Sequence, residues 1–312
     1  MKRAFTFPGQ GSQFAGMGKP LADAFKAAAD VFAEVDDALS QNLCRIIFEG
    51  PEEDLRLTEN AQPALMAVSM AAMRVLESDG HLLTGLASLA AGHSLGEYSA
   101  LAAAGSISLV DTARLLKRRG QAMQRAVPVG EGAMAALLGL DFEAAREVVA
   151  EAALGEVCTT ANDNAPGQVV ISGHLAAVER AIELAKAKGA RRGILLPVSA
   201  PFHCSLMQPA AEEMAEALKK VEIGPPAVPI VANVRAESVT EPGEIRKLLV
   251  EQVTGSVRWR ESVGYMAASG IEQLVEVGAG KVLTGLARRI DRELETVSIQ
   301  TPEDLENFAA TL

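Results

Sequence analysis

Two kinds of hydrophobic pattern alternate along this chain. Short apolar runs of β-like composition are each followed by a longer stretch in which apolar residues recur at helical spacing. The β-like runs cover residues 4–7, 86–91, 228–232, 273–277 and 296–300, and the helical stretches include residues 60–78, 109–126, 205–220 and 281–289. This alternation predicts an α/β fold, a mostly parallel sheet with helices on both faces. Functional residues are then expected near the carboxyl ends of the strands.

A different order of elements is predicted in the middle of the chain. Apolar runs at residues 133–140, 157–161, 168–172 and 193–198 combine with helical stretches at residues 142–153 and 175–188. The resulting β-α-β-β-α-β order is the split unit of ferredoxin-like folds. Proline and glycine residues punctuate both ends of this region, as is typical of an inserted domain. We therefore predict a smaller unit at residues 129–197 and a larger, discontinuous unit at residues 1–128 and 198–312.

Composition and charge narrow the functional class. A chain of 312 residues with 49% hydrophobic content can bury one large core and a smaller second one. Its three cysteines are widely spaced and form no Cys-x-x-Cys pair, which predicts a reducing compartment, with neither a disulfide framework nor a zinc site. A net charge of −11 argues against general nucleic-acid binding.

No segment predicts export or membrane insertion. The apolar run at residues 4–7 is too short for a signal peptide. The long apolar segment at residues 61–76 contains Gln62, Pro63 and Arg74, which favours a buried helix over a membrane span. We therefore expect a cytoplasmic protein that does not bind membranes.

The strongest chemical signal is the pentapeptide Gly-His-Ser-Leu-Gly at residues 92–96. It lies between a β-like run and a helical stretch, which is the context of a nucleophile elbow, and the helix start supplies unpaired N–H donors for an oxyanion. This predicts acyl transfer through Ser94. The spacing of Ser94 and Glu97 also fits a capping box, in which the hydroxyl only satisfies the helix N-terminus.

A serine nucleophile needs a base, and the chain has only four histidines. His81 lies in a surface-like turn, His93 adjoins the serine, where the backbone geometry directs it elsewhere, and His174 begins a helix. His203 follows a β-like run and precedes a helix, which is where an α/β sheet presents active-site groups. Elimination therefore favours His203 as the base; the alternative for any one histidine is a hydrogen-bonded or surface side chain.

Three glycine-rich or basic segments invite other interpretations. Residues 7–13 follow the first predicted strand, but Phe14 stands where a dinucleotide loop needs its third glycine, so this loop is expected to bring a backbone N–H to the elbow instead. Residues 278–281 lack the spacing of a phosphate loop and predict a strand-to-helix turn. Residues 117–119 read Lys-Arg-Arg, which usually marks a solvated face, but an arginine turned inward would bind a carboxylate.

Several segments together resemble the malonyl-CoA:acyl-carrier-protein transacylases and the related acyltransferase domains of fatty-acid and polyketide synthases. They are residues 7–13 (Phe-Pro-Gly-Gln-Gly-Ser-Gln), residues 92–101 (Gly-His-Ser-Leu-Gly-Glu-Tyr-Ser-Ala-Leu), Arg119-Gly120 with Met123-Gln124, residues 164–173 (Asn-Ala-Pro-Gly-Gln-Val-Val-Ile-Ser-Gly) and residues 202–204 (Phe-His-Cys). The resemblance covers nearly the whole chain. It implies an α/β-hydrolase-like parallel-sheet subdomain with an inserted ferredoxin-like subdomain.

The resemblance also implies a reaction and its residues. Malonyl would pass from coenzyme A to a serine ester and then to the phosphopantetheine thiol of acyl carrier protein, with malonyl-CoA as substrate and with no cofactor or metal; we expect a monomer. The implied roles are Ser94 as nucleophile, His203 as general base and acid, the backbone N–H groups of Gln10 and Leu95 as oxyanion hole, Arg119 as partner of the malonyl carboxylate, Phe202 as a bulky residue beside the malonyl α-carbon, and the main-chain carbonyl of Gln252 as the group that orients His203.

Other functions stay open at this stage. A serine hydrolase would use the same elbow, an acyltransferase could prefer acetyl or another acyl group, and an inactive scaffold could bind carrier protein with Ser94 as a helix cap. The resemblance also implies that the carrier protein is acidic, so an enzyme of charge −11 is expected to have a local basic patch near the mouth of its active site. The candidates for that patch are Lys117, Arg118, Arg191, Arg192, Arg288 and Arg289.

Overall fold

The structure is a computed structural model that describes all 312 residues. Its strands are β1 (Arg3–Phe7), β2 (Leu89–Gly92), β3 (Gly132–Leu138), β4 (Cys158–Ala165), β5 (Gln168–His174), β6 (Arg192–Leu195), β7 (Ile230–Ala232), β8 (Glu237–Val239), β9 (Gln273–Val277) and β10 (Glu295–Ile299). Its α-helices are α1 (Lys19–Ala24), α2 (Lys26–Leu39), α3 (Leu43–Glu49), α4 (Glu52–Arg56), α5 (Thr58–Ser78), α6 (Leu83–Leu86), α7 (Gly96–Ala103), α8 (Leu109–Ala126), α9 (Phe142–Ala153), α10 (Leu175–Ala187), α11 (Gln208–Leu218), α12 (Pro242–Thr254), α13 (Trp259–Ala268), α14 (Val282–Ile290) and α15 (Pro302–Ala309).

Six strands form the larger sheet, in the order β10-β9-β1-β2-β7-β8. The first five are parallel, and β8 pairs antiparallel with β7 at the edge. Strand β1 lies beside β2 in a register that pairs Phe7 with Gly92. The loop after β1 and the elbow after β2 therefore begin side by side at the carboxyl edge of the sheet, where α/β folds bind their ligands.

The smaller sheet is antiparallel, in the order β4-β5-β3-β6. Alternate residues of its strands face in opposite directions, since Ala135 and Ile171 pack with α9 and α10 in a core of their own, whereas Met134 and Val170 belong to the main core. The α/β fold class, with a parallel-sheet subdomain and an inserted βαββαβ subdomain, is thus confirmed. The division at residues 128/129 and 197/198 stays a prediction.

Some predicted elements differ from those observed. The run at residues 86–91 is in part helix, because α6 ends at Leu86 and only Leu89 onward lies alongside β1. The run at residues 193–198 stops as a strand at Leu195, two residues before Pro197, which has no N–H for a ladder. The stretch at residues 205–220 divides into a 3₁₀ turn (Ser205–Met207) and α11, which carries a proline in its first turn.

The helices bury a large core around the parallel sheet. Helix α5 is buried along almost its whole length, in keeping with the interior helix expected there, and packs against α8 and α2. None of the helices combines the length and the apolar character needed to cross a membrane.

Candidate active site

Ser94 lies at a sharp turn between β2 and α7. Its φ of 53° falls in the left-handed region, which non-glycine residues seldom adopt. The turn is too tight for side chains on either flank, because a Cβ on Gly92 would overlap the backbone of Gly96, and a Cβ on Gly96 would overlap the carbonyl of Phe7. This is the strained strand-to-helix geometry that exposes a nucleophile's side chain.

The capping-box interpretation of Ser94 and Glu97 is wrong. Helix α7 begins without a side-chain cap. The Ser94 hydroxyl oxygen lies 2.8 Å from Nε2 of His203 instead. The Glu97 carboxylate accepts hydrogen bonds from the backbone N–H of Asn233 (3.0 Å) and from Nε2 of Gln252 (2.8 Å).

His203 is buried, and its ring is held from behind by two backbone carbonyls. Nδ1 lies 2.9 Å from the carbonyl oxygen of Gln252 and 3.1 Å from that of Gly255. Since carbonyl oxygens only accept, Nδ1 carries the proton and Nε2 presents its lone pair to the Ser94 hydroxyl. Burial first, and the nearby charge of Arg119 second, lower the pKa of His203 to about 3. The imidazole is therefore neutral near pH 7, as a base must be.

The other three histidines are placed away from the Ser94 hydroxyl. His93 Nε2 lies 2.8 Å from Asn164 Oδ1, and its ring packs on Trp259. His174 Nδ1 accepts from a backbone N–H, and His81 is half-buried in the turn after α5. The structure thus brings together the same serine and histidine that elimination selected.

Arg119 is the basic residue of α8 that turns inward, with a side chain that is 1% exposed. It donates to Gln62 Oε1 (2.8 Å), Gln252 Oε1 (2.9 Å) and Ser94 Oγ (3.2 Å), and no carboxylate lies within ion-pair distance. Its two neighbours point outward, where Lys117 pairs with Glu59 and Arg118 with Glu213. The positive charge of Arg119 therefore lies beside the serine without an anionic partner.

Periodicity within α8 carries a signal that singles out this arginine. The buried residues Leu115, Leu116, Arg119, Gly120 and Met123 follow the spacing of one helix face. An arginine on an otherwise apolar or small-residue face is expected to have a function there.

The two backbone N–H groups proposed for an oxyanion hole lie at the expected edge of the sheet. Gln10 and Leu95 border the same cavity as Ser94. Neither N–H donates to an acceptor within the protein. Two free donors beside a nucleophile are the arrangement that stabilises a tetrahedral oxyanion.

A cavity of about 480 Å³ joins these groups. The larger subdomain contributes Ser94, His203, Arg119 and Phe202, and the inserted sheet contributes Met134, Asn162, Asn164 and Val170. Its size is within the range of about 300–1,000 Å³ that small-molecule sites occupy. Phe202 is 8% exposed and places its ring at the wall of this cavity. No group of three or more His, Cys, Asp or Glu side chains is arranged to hold a metal ion.

Sequence reasoning missed three residues at this site and misassigned a fourth. Asn233, Gln62 and Gly255 had no assigned role, and Glu97 was considered only as a cap. Asn233 directly follows β7, so a polar residue at the carboxyl end of a strand was the available signal. Gln62 lies inside a buried helix and gives no such signal.

Comparison with known proteins agrees with this architecture. The model of the acyl transferase domain family matches residues 4–300. A malonyl CoA-acyl carrier protein transacylase of Bacillus subtilis (strain 168) is 47% identical over 312 residues, which is 100% of this chain and 97% of the relative. A protein of the same name from Escherichia coli (strain K12) is 48% identical over 299 residues, which is 96% of each chain.

Solved structures give the same result. The crystal structure of acyl-carrier-protein-S-malonyltransferase from Bartonella henselae superposes with a TM-score of 0.98 at 56% identity, over 100% of this chain and 99% of the other. A malonyl-transacylase in complex with its type II PKS acyl-carrier protein superposes with a TM-score of 0.97 at 44% identity, over 100% of both chains.

The fold and the family match define the class, an acyl transferase domain built from a parallel-sheet subdomain and an antiparallel insert. Within that class, the chain belongs to the malonyl CoA-acyl carrier protein transacylase family.

Proposed function

We propose that this chain moves malonyl from malonyl-CoA, through an ester on Ser94, to the phosphopantetheine thiol of an acyl carrier protein. One observation carries the proposal: the Ser94 hydroxyl lies between the neutral Nε2 of His203 (2.8 Å) and the unpaired guanidinium of Arg119 (3.2 Å). The first partner suits an activated nucleophile, and the second suits an acyl group that ends in a carboxylate. The names of the relatives support the same reaction.

In the first half-reaction, Arg119 binds the malonyl carboxylate and Ser94 Oγ attacks the thioester carbonyl. The hydroxyl proton passes to Nε2 of His203, and the carbonyl oxygen becomes an oxyanion that accepts from the N–H groups of Gln10 and Leu95. When the intermediate collapses, the carbon–sulfur bond breaks, and His203 returns its proton to the leaving thiolate. Because burial makes the imidazolium costly, this proton is released readily.

The second half-reaction reverses these steps with a new thiol. The phosphopantetheine thiol gives its proton to His203, and its sulfur attacks the carbonyl carbon of the Ser94 ester. When this intermediate collapses, the bond between that carbon and Ser94 Oγ breaks, and His203 returns the proton to Oγ. The first half-reaction converts a thioester into an ester, and the second converts the ester into a thioester. Water that attacked the ester between these steps would release free malonate, so water must be excluded. The buried setting of His203 and Arg119 serves that need.

The group behind the histidine favours an acyltransferase over a triad hydrolase. The partners of Nδ1 are the carbonyls of Gln252 and Gly255, where a triad has an Asp or Glu. A carbonyl fixes the imidazole tautomer without adding a negative charge beside an anionic substrate. A hydrolase or an inactive scaffold would, in addition, have no use for a buried arginine at the nucleophile.

The carrier is proposed to dock at three of the six basic residues considered above. Arg191, Arg192 and Arg289 line one open cavity of about 700 Å³, together with the turns at Gly139 and Gly167. None of the three arginines has an acidic partner, whereas Lys117 and Arg118 are already paired. The turn at residues 166–167 closely follows Asn164, which borders the active-site cavity, so the two sites are connected by a short length of chain. An acidic carrier would be attracted there.

The proposal also covers the cellular location, the oligomeric state, the cofactor requirement and the domain division. A cytoplasmic location rests on Cys44, Cys158 and Cys204, which are all free thiols. A monomer, the absence of a cofactor and the domain division at residues 129–197 also stay predictions. Light scattering on the purified chain would test the first of these three.

A two-stage transfer assay tests the proposed function. The chain is incubated with radiolabelled malonyl-CoA, freed of coenzyme A by gel filtration and then mixed with phosphopantetheinylated acyl carrier protein. We expect label on the chain after the first stage and on the carrier after the second. Release of free malonate in place of carrier labelling would indicate a hydrolase, and no label on the chain would indicate a scaffold.

A further inference from the structure

Asn233 uses every hydrogen-bonding group that it has, although it is fully buried and does not border the active-site cavity. Its side-chain Oδ1 accepts from the N–H of Ser94 (2.7 Å), and its Nδ2 donates to the carbonyl of Gly92 (2.7 Å). Its backbone N–H donates to Glu97 (3.0 Å), and its backbone carbonyl accepts from the N–H of Arg258 (3.0 Å). The Asn233 side chain thus binds backbone groups of Gly92 and Ser94, the two residues that flank His93 in the elbow.

The carboxamide continues a β-ladder where the backbone can no longer do so. Strands β2 and β7 pair in parallel, with Ala91 opposite Val231. Past that point the chain of β2 bends into the elbow, and the Asn233 side chain offers one acceptor and one donor in the place of a backbone peptide. Without it, the Gly92 carbonyl and the Ser94 N–H would lose their buried partner, which is costly for backbone groups.

Glu97 and Gln252 connect this ladder to the other functional groups. Nε2 of Gln252 donates to the Glu97 carboxylate (2.8 Å) and to the backbone carbonyl of Ser94 (3.0 Å). Its Oε1 accepts from Arg119, and its backbone carbonyl accepts from His203. Neither Glu97 nor Gln252 borders the cavity. The network therefore lies behind the reacting groups and holds them in place.

We propose that Asn233 is a positioning residue, whose carboxamide holds Ser94 in its left-handed conformation with the hydroxyl directed at His203. This inference rests on the proposed function for its substrate, but it concerns the reactivity of Ser94 and does not depend on which acyl group is transferred. Strained backbone at an active site persists only where its surroundings enforce it, and Asn233 makes two of the hydrogen bonds at this turn.

Two substitutions separate positioning from folding. Asn233→Ala removes both side-chain hydrogen bonds, and a misplaced nucleophile is expected to lower the rate of Ser94 acylation by about 100-fold. The KM for malonyl-CoA should stay nearly unchanged, because Arg119 keeps Gln62 as a second anchor. The matched control is Asn60→Ala, which also removes a buried carboxamide with hydrogen bonds on both sides but lies outside the cavity.

Asn233→Asp gives a second readout that a merely structural role would not produce. A protonated carboxyl has the shape and the donor–acceptor pattern of the amide, whereas the ionised form turns an oxygen toward the Gly92 carbonyl. The rate of this variant, divided by that of the unaltered chain at each pH, should therefore rise as the pH falls. Glu97, His93, His203, Arg119 and Arg258 face the same region and are present in both proteins, so the change of the ratio with pH reports the introduced carboxyl together with its coupling to Glu97.

Reaction with diisopropyl fluorophosphate measures the reactivity of Ser94 separately from the acyl group. Slow labelling of Asn233→Ala, with normal labelling of Asn60→Ala at a similar melting temperature, is the expected result. Labelling and malonylation of Asn233→Ala within about threefold of the unaltered chain, or a pH-independent ratio for Asn233→Asp, would overturn the inference, since a misplaced nucleophile costs far more. If the unaltered chain reacts with the fluorophosphate but not with malonyl-CoA, the proposed function fails while the role of Asn233 is still decided.

Discussion

Nη2 of Arg119 donates to the hydroxyl oxygen of Ser94 across 3.2 Å. A guanidinium this close to a nucleophile can bind a carboxylate that is only a few bonds from the carbonyl under attack. Malonyl thioesters have that spacing, and acetyl thioesters lack the carboxylate. The proximity of the two side chains therefore links acyl selectivity to the position of attack.

Arg119→Ala should lower malonyl transfer by at least about 10-fold, or about 1.4 kcal/mol, while acetyl transfer holds steady or rises. The physical reason is the loss of a charge-assisted, fork-shaped partner for the carboxylate. Competition between malonyl-CoA and acetyl-CoA measures the ratio. Arg118→Ala is the matched control, because Arg118 directly precedes Arg119 but its guanidinium is exposed and paired with Glu213. An unchanged ratio in Arg119→Ala would remove this residue from substrate selection.

The burial of His203 predicts a specific dependence of stability on pH. Its pKa falls from 6.5 to about 3 in the folded chain, so between these values the unfolded state binds more protons than the folded state. The free energy of unfolding therefore decreases as the pH falls from 6.5 to about 3, because protons bind preferentially to the unfolded state. Glu97 acts in the opposite direction, because burial raises the pKa of its carboxyl to about 7.

Comparison of His203→Ala with the unaltered chain isolates the histidine, since Glu97 is present in both. Urea unfolding at a series of pH values between 7 and 3 should show a shallower decline for the variant; these pH values cover the window between the unfolded and folded pKa values of His203. Parallel curves would show that His203 is protonated as readily in the folded chain as in water. The same variant should lose malonyl transfer by about 100-fold or more through loss of general base catalysis.

Phe202 is expected to exclude substituents on the malonyl α-carbon. Phe202 lines the cavity, and it directly precedes the base His203 in the sequence. Phe202→Ser should admit methylmalonyl-CoA by opening space for one methyl group, an effect of about 1–3 kcal/mol on relative kcat/KM. Phe202→Tyr keeps the bulk and should keep the selectivity. Equal methylmalonyl-to-malonyl ratios in all three proteins would assign the ring to packing alone.

Charge reversal at the basic surface should weaken the interaction with the carrier specifically. Arg191→Glu, Arg192→Glu and Arg289→Glu are each expected to raise the KM for acyl carrier protein several-fold, with a smaller effect in high salt and little change in the KM for malonyl-CoA. Arg146→Glu is the control, since it reverses an exposed charge on α9 away from this cavity. Equal effects on both substrates would contradict a carrier-specific surface.

The sequence predicts those parts of this molecule that depend on local patterns. Alternating β-like and helical runs predicted both sheets. The elbow pentapeptide predicted Ser94, and elimination among only four histidines predicted His203 as its partner. The short antiparallel strand β8, with three residues, has too little pattern to be recognised. The same limit applies to the short helices α3 and α4.

Long-range hydrogen bonds account for the rest. Asn233 and Glu97 are separated by 136 residues, and Gln252 and Glu97 by 155, so no local period reveals that they meet. The Ser94-x-x-Glu97 spacing also fitted a cap because that pattern depends on residue types alone, whereas the left-handed φ of Ser94 and the position of Asn233 decide the actual partners. Local spacing cannot distinguish these two arrangements.

Intact-mass measurement of the chain after incubation with malonyl-CoA tests the central claim most directly. The account predicts a mass gain of one malonyl group, mapped to Ser94 by peptide sequencing and lost again when acyl carrier protein with its phosphopantetheine thiol is added. Ser94→Ala should gain no mass while remaining folded, because helix α7 does not depend on a side-chain cap. A malonyl adduct on Ser94→Ala, or none on the unaltered chain, would contradict the account.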